Sequence, residues 1–145
     1  MLSQIVLGSV LIALTVLVEA AFIGGVAVAL QYFGTWLVAG YRIVKLVITL
    51  AAITLWLLAA LSIAVWVWGL TFLALGLFET LEASVYFAVV AFTTLGFGDI
   101  ILEEDWRLLS GFIAANGLIL FSLSTAFLIE AMRRLHDAQT DRLTR

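Results

Sequence analysis

Three long apolar runs organise the chain, and its few charges stand mostly between them. The first, Ile5 to Leu30, is interrupted only by small or weakly polar residues and by Glu19. The second, Ile43 to Leu77, holds Lys45 near its start and no other charge. The third, Trp106 to Ile129, holds only Arg107, again at its start. An α-helix needs about 20 apolar residues to cross roughly 30 Å of hydrocarbon, so each run is long enough for a membrane span. As one continuous helix the second would extend about 50 Å. It must tilt, project into water, or bend near Gly69 and Gly76.

Between the second and third runs lies Glu79 to Asp105, whose apolar middle is Leu81 to Phe92. That middle is too short to cross and predicts a re-entrant or buried helix. Non-helical backbone is tolerated at membrane depth only where protein or water surrounds it, so a segment that enters and returns implies a protein-lined pore or cavity.

Composition agrees. Apolar residues make up 65% of the 145 residues and charged residues 12%, with no cysteine and no proline. Soluble domains hold about 45–50% apolar residues and twice that share of charge. Mean hydropathy is +1.23. A disulfide scaffold, a disordered chain and a nucleic-acid binder are excluded. An enzyme is not expected either, since one histidine and no cysteine leave no nucleophile–base or metal-ligand constellation.

The net charge of −3 becomes informative once placed along the chain. With three spans and one re-entrant segment, Arg42, Lys45, Arg133, Arg134, Arg142 and Arg145 share a side. The positive-inside rule makes that side cytoplasmic. Arg107 stands opposite with Glu79, Glu82, Asp99, Glu103, Glu104 and Asp105. The N-terminus is then expected outside and the C-terminus in the cytoplasm, most simply at the cell membrane. The first run lacks the basic start of a cleaved signal and exceeds its usual apolar length, so it is read as a retained span.

The chemistry lies in Thr93-Thr94-Leu95-Gly96-Phe97-Gly98-Asp99. Glycines at alternating positions permit positive φ at little steric cost. Successive carbonyls are then free to point to one side, and several such strands around an axis would stack rings of oxygens. Carbonyl dipoles replace a cation's hydration shell without holding it by full charge, which suits conduction. One chain supplies one strand, so the segment makes sense only in a closed ring of copies.

The stretch from about Ile43 to Arg134 resembles the pore domain of potassium channels, in which outer helix, pore helix, a T-[VIL]-G-[YF]-G-D filter and inner helix follow in order. Thr94 to Asp99 fits that filter residue by residue, Thr93 matches the preceding threonine, and Trp106-Arg107 resembles the start of the inner helix. The resemblance implies a homotetramer around one pore. Backbone carbonyls of Thr94, Leu95, Gly96 and Phe97, with the Thr94 hydroxyl, would hold K⁺ as permeant ion. Gly98 completes the filter, and Asp99 would sit at the outer mouth. It implies no cofactor, and no partner beyond copies of the chain, K⁺ and lipid. Four features depart from the common pattern: Phe97 replaces the usual tyrosine, Tyr86-Phe87 stands where many relatives carry two tryptophans, Val90 stands where some carry a carboxylate, and the first span is one that the simplest two-helix members lack.

Other residues are candidates by position. Asn116, Leu120 and Ser124 share one helical face that would line an aqueous cavity, the competing reading being interhelical hydrogen bonds. Gly117 is close to the family's hinge position, whereas Gly111 reads as helix packing. Glu103-Glu104-Asp105 would gather carboxylates around the mouth or lie in a solvated loop. Glu19 is an acid inside an apolar span, expected as a protonated carboxyl bonded to a neighbouring helix, or else as a pH sensor or partner contact. Glu130 and Arg134 suit an i,i+4 pair. Trp36, Tyr41 and Trp106 fit interfacial anchors, and His136 a solvated tail. No ladder of arginines suggests voltage sensing.

The expectation is an all-α integral membrane protein with three transmembrane helices, a re-entrant pore helix and a selectivity filter, as a homotetramer. Residues 1–42 would form the first span and link, 43–134 the pore domain, and 135–145 a short tail. The function expected is K⁺-selective conduction. The alternatives are a poorly selective Na⁺/K⁺ channel or a non-conducting membrane assembly subunit.

Overall fold

The computed structural model describes residues 1–37 and 42–140, the side chains of 33–37, 42–43 and 136–140 excepted. Among the described residues four helices occur: α1 (Leu2–Leu37), α2 (Arg42–Ala74), α3 (Leu81–Phe92) and α4 (Leu108–Thr140). Three of them, all but α3, are long and apolar enough to cross a membrane. The expected all-α membrane architecture is therefore present. Expectations placed on Tyr41, Arg142 and Arg145, and on the side chains of Trp36, Arg42 and His136, lie outside the described residues.

Boundaries follow local chemistry. Helix α2 stops at Ala74 rather than running to Leu77. Gly76 takes φ +72, its N–H donates to Leu73 O at 2.9 Å, and the Leu77 N–H donates to Phe72 O at 3.1 Å. That pair of bonds around a left-handed glycine is a Schellman cap. Of the two bends considered, Gly76 thus terminates the helix. Gly69 instead admits α3: a Cβ there would lie 3.0 Å from Val85 Cγ2 and 3.3 Å from Val85 Cα. Ser84 Oγ donates to Gly69 O at 2.5 Å across the same contact. Helix α3 starts at Thr80, whose side chain accepts from the Ala83 N–H at 3.2 Å. Helix α4 continues six residues past the expected pore boundary at 134, reaching Thr140 in what reads as tail.

Helices α1 and α4 run side by side in the same sense. Gln4 Nε2 donates to the Asp105 carbonyl, Asn116 Nδ2 donates to Thr15 Oγ1 at 2.8 Å, and Ser124 Oγ donates to Glu19 Oε1 at 2.5 Å. Helix α2 runs the other way, with the rings of Phe22 and Trp56 4.9 Å apart and Trp56 Nε1 donating to Phe22 O at 3.1 Å. Met1 and the 79–105 segment therefore share one end of the bundle, and Lys45, Arg133 and Arg134 the other. Lipid tails are as apolar as leucine, so close approach and polar contacts hold such helices together. Gly8 illustrates this, since a Cβ there would meet the Phe112 ring at 2.7 Å.

The main core lies at the Met1 end, where α3 is wedged between α2 and α4. Trp68, Phe72, Phe92, Leu109 and Ile113 are fully buried there. Phe72 meets Phe87 edge-on at 5.4 Å, and Phe78 packs on Phe87 at the same distance. A second cluster of Val26, Ile53, Leu57 and Ala131 joins α1, α2 and α4 toward the other end.

Candidate functional site

Helix α3 ends in a second Schellman cap. The Thr94 N–H donates to Ala91 O and the Leu95 N–H to Val90 O, each at 3.0 Å. The residue in the left-handed position is Thr94, at φ +59, the only described non-glycine with positive φ. This position usually falls to glycine, because an L side chain there costs roughly 1–2 kcal/mol. Gly96 at φ +55 and Gly98 at φ +78 repeat the conformation. Positive φ thus recurs at 94, 96 and 98, with Leu95 and Phe97 between. The glycine spacing announced two of the three positions, and threonine carried no such signal.

Residues 94–99 are exposed, Leu95 to 58% and Phe97 to 66%. Thr93 Oγ1 bonds back to Val89 O at 2.7 Å, inside the last turn of α3. At the far end of the loop, Tyr86 Oη donates to Asp99 Oδ2 at 2.7 Å. That bond to the Asp99 carboxylate, aided by some burial, holds the Tyr86 hydroxyl above its ordinary phenol range. Tyr86 and Phe87 divide the work at the tryptophan positions, Phe87 entering the core and Tyr86 bracing Asp99. A groove of about 310 Å³ lies behind the loop, lined by Val90, Thr94, Gly96, Ile101, Ser110 and Ala114. The carbonyl end of α3, where the helix dipole is negative, abuts Thr93 and Thr94 and favours a cation.

The face Asn116, Leu120 and Ser124 does not open onto a cavity within the chain. These residues are 0%, 0% and 5% exposed. Asn116 and Ser124 are bonded to Thr15 and Glu19 of α1, so the interhelical reading holds. Within the chain the close packing falls at Gly117 rather than at Gly111. A Cβ on Gly117 would lie 1.8 Å from Phe92 O, so α4 crosses the end of α3 where only glycine fits, and the helix runs unbroken through it. A Cβ on Gly111 would have nothing within 4 Å. Thr15, Ser84 and Gly69 were not singled out as contacts, being ordinary small residues in apolar helices.

Glu103, Glu104 and Asp105 are exposed beside the loop. Arg134 Nε meets Glu130 Oε1 at 2.6 Å, as the spacing suggests, in a solvated position where such pairs contribute little. Among the described residues no group of His, Cys, Asp or Glu is placed to hold a metal ion.

No curated protein and no solved structure matches the chain. A family model described as "Ion channel" matches residues 43–134, which take in α2, α3, the 93–99 loop and most of α4 and leave α1 outside. The matched stretch is more than half of the chain, and the chain belongs to this ion channel family.

Proposed function

We propose that the protein is a K⁺-selective channel formed by four copies around one pore, with residues 94–98 as its filter. The observation that carries this reading is the period-two recurrence of positive φ at Thr94, Gly96 and Gly98, directly after a 12-residue re-entrant helix. Carbonyls of Thr94, Leu95, Gly96 and Phe97, with the Thr94 hydroxyl, then replace the hydration shell of K⁺. Thr93 and Asp99 flank the filter, Asp99 at the mouth. The exposed Leu95, Phe97 and Ile101 lie on a loop rather than on a lipid-facing span, which supports their being covered by neighbouring copies.

Because α1 occupies the Asn116–Ser124 face, the cavity face passes to Leu118, Ser122 and Thr125. These are exposed at helical spacing on α4. Ser122 and Thr125 give their protons to Leu118 O and Phe121 O, which leaves hydroxyl oxygens to accept from water. A poorly selective cation channel is the second reading, favoured by Phe97, which has no hydroxyl with which to brace the filter.

The test is tracer uptake by liposomes containing the purified protein. K⁺ uptake well above that of Na⁺ is expected. Equal uptake of the two ions would favour the second reading, and no uptake would remove conduction.

A further inference from the structure

The seam between α1 and α4 leaves hydrogen-bond acceptors unpaired. Among the described residues four buried side-chain polar atoms have no partner, and three of them, Gln4 Oε1, Glu19 Oε2 and Asn116 Oδ1, belong to residues of this seam. All three are acceptors. The hydroxyl protons are already used: Thr15 Oγ1 bonds back to Leu11 O at 2.9 Å, and Ser124 Oγ donates to Glu19 Oε1. Glu19 is 1% exposed. A charged carboxylate there would have one neutral donor and no cation, an arrangement that costs several kcal/mol per ion.

The surroundings hold no compensating charge. Helix α1 packs on α2 and α4. Glu19 and Tyr32 are the only ionisable side chains of α1, and Tyr32 is 80% exposed. On α2 the nearest is Lys45, since 46–74 carries none. With Phe22 level with Trp56, Lys45 lies roughly 20 Å along the axis from Glu19. On α4 the stretch 108–129 carries none, and Glu130, Arg133 and Arg134 follow Ser124 by about 9 Å or more.

We propose that Glu19 is a proton-binding site: the docked α1–α4 seam takes up one proton on this carboxyl, and releasing it loosens α1 from the half of α4 beyond Gly117. The proton removes the buried charge and turns the partnerless Glu19 Oε2 from a carboxylate acceptor into a neutral hydroxyl. Ser124 lies seven residues past Gly117, where α4 is pinned to α3, so the Glu19 contact holds α4 beyond the reach of α3. Proton binding stands on the seam alone. Its effect on ion passage rests on the channel reading above.

The chain has no cysteine, so labels are easily placed. Spin labels at Val28→Cys and Ile129→Cys, both exposed, report the separation of α1 and α4 in lipid, with labelled protein diluted into unlabelled. Infrared spectra over about pH 5 to pH 10 report the protonated carboxyl directly. The native protein should lose a protonated-carboxyl band as pH rises, and the label distance should widen with the same midpoint. Glu19→Gln carries its own donor and stays neutral, so the band should be missing and the distance constant. Ser124→Ala, which keeps the carboxyl, should displace the midpoint. A pH-dependent band or distance that persists in Glu19→Gln would overturn the site, as would an unmoved midpoint in Ser124→Ala. In liposomes the native K⁺ flux should change about tenfold across this range and the Glu19→Gln flux less than about twofold. Absent flux with the spectroscopic transition intact would count against the channel reading alone.

Discussion

Tyr86 and Asp99 are joined at 2.7 Å, the phenol hydroxyl donating to the carboxylate, so the second turn of α3 is tied to the far end of the loop that α3 introduces. The loop is otherwise held only at its start, by amide bonds from Thr94, Leu95 and Gly96 to α3 carbonyls. Phe97 has no hydroxyl, and Val90 behind the loop has no polar group, so this bond is the loop's distal brace.

Removing it with Tyr86→Phe should leave assembly intact and make K⁺ currents decline several-fold faster during sustained opening. The bond favours the protonated phenol, so its contribution is complete below the ordinary tyrosine range of about pH 10 and is lost as pH rises through the higher folded value. Native currents should therefore approach the Tyr86→Phe behaviour only in strongly alkaline solution. Macroscopic current decay in bilayers checks both, and an unchanged decay in the variant contradicts the brace.

Gly96→Ala meets no steric obstacle, since nothing lies within 4 Å of the added Cβ, but φ +55 makes the substitution strained. The cost is about 1–2 kcal/mol in each copy. Tetramers should still form on native gels while K⁺ flux is abolished. Normal flux would contradict the role of the alternating backbone.

At Thr94 the predicted effects have opposite signs. Thr94→Gly relieves the left-handed threonine and should stabilise the fold by about 1 kcal/mol per chain, seen as a raised Tm. It also removes the hydroxyl proposed to line the innermost ion site, so block by Ba²⁺, a cation of similar size to K⁺, should weaken. Thr94→Ala should weaken the block without the stability gain. Unchanged block in both variants would remove that role.

Gly117→Ala should destabilise strongly, by about 3 kcal/mol, because the new methyl group would overlap the Phe92 carbonyl. Gly111→Ala, in open space, should be far milder. Thermal unfolding in detergent compares them, and equal stabilities would contradict the crossing of α4 over α3.

Much of the fold was legible because a bilayer imposes hard lengths. Leu81–Phe92 is the expected short helix residue for residue, bounded by Thr80 as cap and by the Thr93-Thr94 turn. The helix ends elsewhere drifted, since apolar residues past the hydrocarbon boundary continue a helix as readily as they stop one. Gly76 was legible as an interruption but not as a cap, which depends on the two backbone bonds around it. The loop's glycines were legible because only their φ freedom explains them. The facing of α4 was not. Asn116 and Ser124 fit a wet cavity or a neighbouring helix equally well by spacing, and only the position of α1, which lies outside the matched family region, decides between them.

In the proposed channel, residues 94–98 of four chains select K⁺ by backbone oxygens. The reversal potential of purified protein in a planar bilayer, with K⁺ on one side and Na⁺ on the other, tests it most directly. A potential close to the K⁺ equilibrium value is the expected result. A potential near zero, meaning that the two ions pass alike, would contradict it.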